Sequence, residues 1–148
     1  MKTLLIAHRG NIFGPSKDNE NRPENILEAL NHGFDCEVDL RLDEKSDDFF
    51  LGHDHKQFQI SVDWLVQNKE NLWIHCKDFL ALNKLTVLDL DLNYFWHEND
   101  KFTLTSKGYI WTYPKNLTSK NSIIVSLEEP KPNMECYGIC SDYVGKYK

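Results

Sequence analysis

Four short apolar runs in the first half of the chain each end in titratable residues, and helical stretches separate most of them. This alternation restricts the folds open to the chain. Thr3–His8, Phe34–Leu42, Phe49–His53 and Leu72–Lys77 read as strands. Pro23–His32 reads as a helix: Pro23 suits a first turn, Ile26, Leu27 and Leu30 make an apolar stripe, and Gly33 is a natural stop. Ser61–Lys69 is a second helix with Ser61 as its cap, and Asp78–Lys84 a third. Further strands are expected at Asn93–Glu98, Gly108–Tyr113, Ser122–Leu127 and Tyr137–Asp142, with short polar connections between them. Strands alternating with helices predict a parallel α/β sheet.

Eight strands suggest a TIM-barrel-like (β/α)8 fold, in a single domain spanning residues 1–148. Length works against a full barrel. Dividing the 148 residues by eight leaves about 18 per unit, against about 31 in a barrel of ~250 residues. The expectation is therefore a compact barrel with several helices shortened or missing, above all in the second half. An open α/β sheet is the structural alternative.

Composition removes several classes of function. With 41% hydrophobic and 27% charged residues the chain is neither disordered nor of low complexity. A net charge of -6 argues against a nucleic-acid binder working through a basic face. No apolar run approaches the ~20 residues of a membrane span. The opening Met-Lys-Thr-Leu-Leu-Ile-Ala mimics a signal peptide, but its apolar run stops at His8-Arg9, short of an h-region of ~7–15 residues. A cytoplasmic protein is expected. Cys36, Cys76, Cys136 and Cys140 form no Cys-x-x-Cys pair, so reduced thiols are expected.

Side chains two apart on a strand share a face. Ile6 and His8 then point one way; so do Glu37, Asp39 and Arg41, then Leu51 and His53, then Trp73, His75 and Lys77. In parallel α/β sheets ligands bind at the carboxyl ends of strands. Four consecutive strands ending in polar residues on one face mark a shared site. Glu37 and Asp39, side by side and inward, repel each other unless a cation compensates, and Mg²⁺ or Ca²⁺ is the natural hard partner. A half-exposed strand with its polar face in water would give the same local pattern. His8 and His53 bring imidazoles suited to proton transfer, and Arg9 and Lys77 bring cations suited to a phosphate.

Four motifs then stand in order: His8-Arg9-Gly10, Pro23-Glu24-Asn25, Glu37-Val38-Asp39 and His53-Asp54. Together they resemble the glycerophosphodiester phosphodiesterase family, within the PLC-like phosphodiesterase superfamily. Trp111-Thr112 and the Gly138–Tyr143 stretch resemble late strands of the same family. The resemblance implies a TIM-barrel phosphodiesterase that uses Mg²⁺ or Ca²⁺ on a small phosphodiester substrate. It implies metal ligation by Glu37 and Asp39, with Glu24 reaching the metal and Asn25 supporting the site. His8 would be the general base and His53 the general acid, by way of a cyclic phosphate. Arg9 and Lys77 would clamp the phosphate, and Trp111 would wall the substrate.

Three departures accompany the resemblance. His75-Cys76-Lys77 stands where the family carries E-x-K, so an imidazole replaces a carboxylate among the expected metal ligands. That substitution favours Mn²⁺ or Zn²⁺, unless Asp54, Asp78 or Glu98 completes the shell. Ile26 replaces a threonine, and the segment after His53-Asp54 is short. His97-Glu98 is a further candidate at the end of its strand, where regular alternation lets only one of the two point at the site, with His55 as an accessory group. A barrel short of helices would expose strand faces such as Ile123, Ile124 and Val125, which a second copy of the chain would cover. Two other functions stay open: a non-catalytic phosphate-binding module, and a phospholipase-D-like enzyme of the sphingomyelinase D type.

Overall fold

Pairing in the sheet follows from the length of each connection. The computed structural model describes residues 2–128 and 135–147. Strand β1 (Leu4–His8) leads through a polar loop to helix α1 (Pro23–Asn31), with Pro23 in its first turn and Gly33 just beyond it at φ +84°. Strand β2 (Asp35–Leu42) then lies parallel to β1. A parallel return needs a crossover of a dozen residues or more, and α1 with its loops supplies it. Asp43–Asp48 is far too short for one. Strand β3 (Phe49–Leu51) therefore turns back antiparallel on β2, and β4 (Phe58–Ile60) turns back on β3.

Helix α2 (Val62–Gln67) starts at Ser61, whose hydroxyl accepts from the Trp64 amide at 3.0 Å. Strand β5 (Leu72–Cys76) adds parallel to the other edge of β2. Helix α3 (Phe79–Leu88) is capped by Asp78, which accepts from the Ala81 amide at 2.8 Å. It ends where Asp89 takes a left-handed φ of 49°. Strands β6 (Tyr94–Trp96), β7 (Phe102–Leu104), β8 (Ile110–Thr112), β9 (Ser122–Ser126) and β10 (Gly138–Ser141) complete the sheet. The parallel path runs β6-β5-β2-β1-β10-β9-β8, and β7 joins β8 antiparallel. Between β6 and β7 there is no strand ladder among the described residues; Thr103 of β7 donates through Oγ1 to the Trp96 carbonyl of β6 at 2.8 Å.

The result is an α/β fold with a curled, mixed sheet, a partial barrel rather than a full (β/α)8 barrel. Seven of the eight expected strands join the parallel set. The eighth, at Phe49–His53, belongs instead to an antiparallel hairpin, and β4 and β7 were not expected from the sequence. The α-helices among the described residues all precede β6, and only a 3-10 turn at Val144–Tyr147 follows, so the later strands are joined without α-helices, in keeping with the length arithmetic.

Two apolar layers hold the curl. Ala7, Val38, Leu40 and Ile74 face outward, packed with Ile26 and Ala29 of α1, Leu65 of α2 and Ala81 and Leu85 of α3. Ile6, Trp73, Phe95, Trp111, Ile123, Val125 and Cys140 fill the concave side. Burial of apolar side chains on both faces is the main force favouring this fold. Ile123, Ile124 and Val125 are all buried within one copy of the chain, so the apolar face expected to recruit a second copy is not exposed. No helix among the described residues is long and apolar enough to cross a membrane. The four cysteines are free thiols.

Candidate active site

Residues that alternate with the concave apolar layer emerge at the carboxyl ends of the parallel strands. Ile6 leads to His8, Trp73 to His75, Phe95 to His97 and Cys140 to Asp142. These ends frame a cavity of about 360 Å³ lined in part by His8, Glu37, His53, His75 and Lys77. Thus most of the candidates picked out from the sequence do meet in one place.

Glu37 lines the cavity, and Asp39 lies in the same ligand cluster with it; each is 1% exposed. The turn after β1 is built to meet them. Arg9 and Gly10 both take left-handed φ values, 54° and 81°. A side chain at position 10 would be strained there, and its Cβ would fall 2.9 Å from Ile26 Cδ1. That turn aims the Arg9 amide at Glu37 Oε2 at 3.2 Å and its Nε at Asp39 Oδ2 at 3.1 Å. Asn21, fully buried, reads Asp39 twice: its Nδ2 donates to Oδ2 at 2.8 Å, and its Oδ1 accepts from the Asp39 amide at 3.0 Å.

His75 completes the cluster. Its Nε2 donates to the His97 carbonyl at 2.9 Å, so in the neutral ring the lone pair sits on Nδ1. Nδ1 lies 3.5 Å from Asp39 Oδ1 and 3.7 Å from Glu37 Oε1. Phe95 stacks beneath the ring at 5.0 Å. Glu37, Asp39 and His75 offer ligand atoms within 4.8 Å of one another, and such a group could hold a metal ion. Asp39 Oδ1 is buried and makes no hydrogen bond among the described residues, which fits an oxygen reserved for a cation. Burial and the Glu37 charge push the Asp39 pKa up. Burial opposes ionisation of Glu37 too, but the neighbouring His75, His8 and Arg9 outweigh it and hold that carboxyl low.

His8 hydrogen-bonds through Nδ1 to Asp142 Oδ1 at 2.9 Å, and the same oxygen accepts from Asn11 Nδ2 at 2.8 Å. A carboxylate only accepts, so Nδ1 carries the proton. Nε2, 3.8 Å from Glu37 Oε2, is left to exchange one. Burial lowers the His8 pKa, but the Asp142 hydrogen bond and the Glu37 charge overcome it, and the net shift is upward.

His53 stands on the loop after β3, with Nδ1 2.8 Å from Asp54 Oδ1. Arg41 anchors this loop, donating through Nε to the Gly52 carbonyl at 2.9 Å and through its terminal nitrogen to the His53 carbonyl. The Lys77 ammonium lines the cavity and makes no ion pair among the described residues. Arg9 also lines it, but its guanidinium is engaged by Asp39 and by Glu20, the latter at 3.3 Å.

Other candidates fall elsewhere. Glu24 is exposed on α1 and stays out of the ligand cluster, because α1 turns Ile26 and Ala29 toward the sheet instead. Asp78 is consumed in capping α3 and in accepting from the Leu42 amide. Asp54 and His55 are exposed. Trp111 is 5% exposed and stacks on Phe95 at 4.5 Å, which makes it the floor of the cavity more than a wall. Both His97 and Glu98 reach the cavity, because β6 ends at Trp96 and strict alternation ends with it.

Asn11, Asn21 and Asp142 were missed as site residues. The late Gly138–Tyr143 resemblance pointed at Asp142; nothing in their local sequence marked the two asparagines. No family model matches the chain, and no curated protein or solved structure matches it.

Proposed function

We propose that the chain is a metal-dependent phosphodiesterase acting on small, glycerophosphodiester-like substrates. One observation carries this reading: two imidazoles, a buried carboxylate pair and a lysine converge on one cavity at the carboxyl ends of parallel strands.

Glu37, Asp39 and His75 would hold the cation, which when bound would neutralise charge on a phosphate oxygen. The chain's own groups supply the rest. Lys77, with the guanidinium nitrogen that Arg9 has left, draws a phosphodiester into the cavity. His8 takes a proton through Nε2 while Asp142 steadies the imidazolium from behind, the arrangement expected of a general base. His53 gives a proton to the leaving oxygen. A hydroxyl of the substrate itself is the candidate nucleophile, which would make a cyclic phosphate the first product.

The test is turnover of glycerophosphodiesters followed by phosphorus NMR, with Mg²⁺, Ca²⁺ or Mn²⁺ added to protein shown to be folded. Release of a phosphomonoester or cyclic phosphate, lost in His8→Ala, is the expected result. Phosphodiester binding with no turnover under any of these ions would overturn the reading and favour a binding module.

A further inference from the structure

We propose that His75 makes the Glu37–Asp39 cluster selective for a first-row transition ion, Mn²⁺ being the convenient probe, over Mg²⁺ and Ca²⁺. The inference deepens the phosphodiesterase reading, in that it assumes a cation in that cluster, but it concerns which ion the residues select.

Three features carry it. The third ligand position is an imidazole, and hard Mg²⁺ and Ca²⁺ take oxygen ligands almost exclusively, whereas first-row transition ions accept nitrogen. The ring is fixed so that the ligating nitrogen is the one available: Nε2 is spent on the His97 carbonyl at 2.9 Å, and Phe95 stacks against one side. A backbone carbonyl behind a ligating histidine is the usual means of setting its tautomer and orientation. Third, Asp39 Oδ1 is buried with no hydrogen bond among the described residues and lies 3.5 Å from His75 Nδ1, so an unsatisfied oxygen and an oriented nitrogen face the same point.

Among the described residues no third carboxylate joins the cluster to offset the exchange. Among the described residues Glu24 and Asp54 are exposed, and Asp78 is committed to α3. Glu98 is exposed at the rim and lies outside the ligand cluster. Two carboxylates and one neutral imidazole therefore carry one negative charge fewer than three carboxylates would. That lowers affinity for hard ions more than for transition ions, whose bond to nitrogen compensates. The His97 loop is part of the device: His97 Nε2 meets the Asp100 carbonyl at 2.5 Å, which keeps the carbonyl that orients His75 in place.

Mn²⁺ bound to the full chain is read by pulsed electron paramagnetic resonance for nitrogen-14 coupling, and Mn²⁺ and Mg²⁺ affinities by calorimetry. The wild type is expected to show imidazole nitrogen coupling that His75→Gln and His75→Glu lose. In His75→Glu, the preference for Mn²⁺ over Mg²⁺ should fall by about tenfold or more as the carboxylate restores hard-ion binding. Circular dichroism confirms that both variants are folded. Mn²⁺ bound without nitrogen coupling, an unchanged preference in His75→Glu, or no Mn²⁺ binding by the folded wild type would overturn the proposal. The two readings separate cleanly. Turnover with Mg²⁺ and no nitrogen coupling leaves the phosphodiesterase standing and this inference refuted. Nitrogen coupling without turnover of any phosphodiester does the reverse.

Discussion

Replacing Asp142 by Asn isolates what the carboxylate does for His8. In the wild type one oxygen, Oδ1, accepts from both His8 Nδ1 at 2.9 Å and Asn11 Nδ2 at 2.8 Å. An asparagine carbonyl can occupy the same position and accept both, so the substitution removes charge and leaves the shape. A hydrogen bond to a charged group is worth about 1 kcal/mol more than a neutral one, so two of them cost about 2 kcal/mol. For a chain of this length that is a fall of about 4–8 °C in Tm.

The pH dependence of that loss is more telling than its size. The folded pKa of His8 is raised, so its contribution is complete below the unfolded value of about 6.5 and fades as pH rises through the folded pKa. Asp142 itself is held low, chiefly by the His8 hydrogen bond and charge acting against burial, and stays ionised from pH 6 upward. The deficit of Asp142→Asn should therefore be greatest near pH 6 and shrink toward pH 9. Thermal unfolding at both pH values, with an NMR titration of the His8 ring, reads it directly. No loss at pH 6, or a deficit that grows toward pH 9, would refute the reasoning.

Other substitutions separate chemistry from stability. The His53 side chain is partly exposed and among the described residues bonds only to Asp54, so His53→Ala should leave Tm nearly unchanged while phosphodiester turnover falls by about 10²–10⁴-fold. In Gly52→Ala the new Cβ would fall 1.9 Å from the His55 carbonyl oxygen, so the loop must shift and His53 with it; turnover should drop together with a lower Tm. Asn21→Ala strips two hydrogen bonds from Asp39 and puts alanine at a left-handed φ of 61°, an expected loss of about 2–4 kcal/mol in urea unfolding. Ile74→Ala, on the outer face and fully buried, should cost about 2–5 kcal/mol and leave kcat at temperatures below the transition unchanged.

Much of the fold was readable from local pattern. Period-two alternation located seven of the parallel strands, and cap chemistry at Ser61 located one helix start. The same alternation put His8, Glu37, Asp39 and His75 on the inward face, because side-chain direction on a strand is a property of the strand alone. The direction of β3 was readable in principle, since six residues cannot carry a crossover. Strand β7 was not: Phe102 and Leu104 are exposed and only Thr103 turns inward, so no apolar alternation marks it.

The polar partners belong to a different level. Asp142 reaches His8 across 134 residues because β10 pairs with β1, and Asn21 meets Asp39 because the loop before α1 folds over β2. His75 gains its orientation from a carbonyl of the neighbouring β6 loop. A residue's own neighbours in the chain say which way it points. Which groups stand opposite depends on strand order, and strand order is settled by burying both apolar faces of one curled sheet at once.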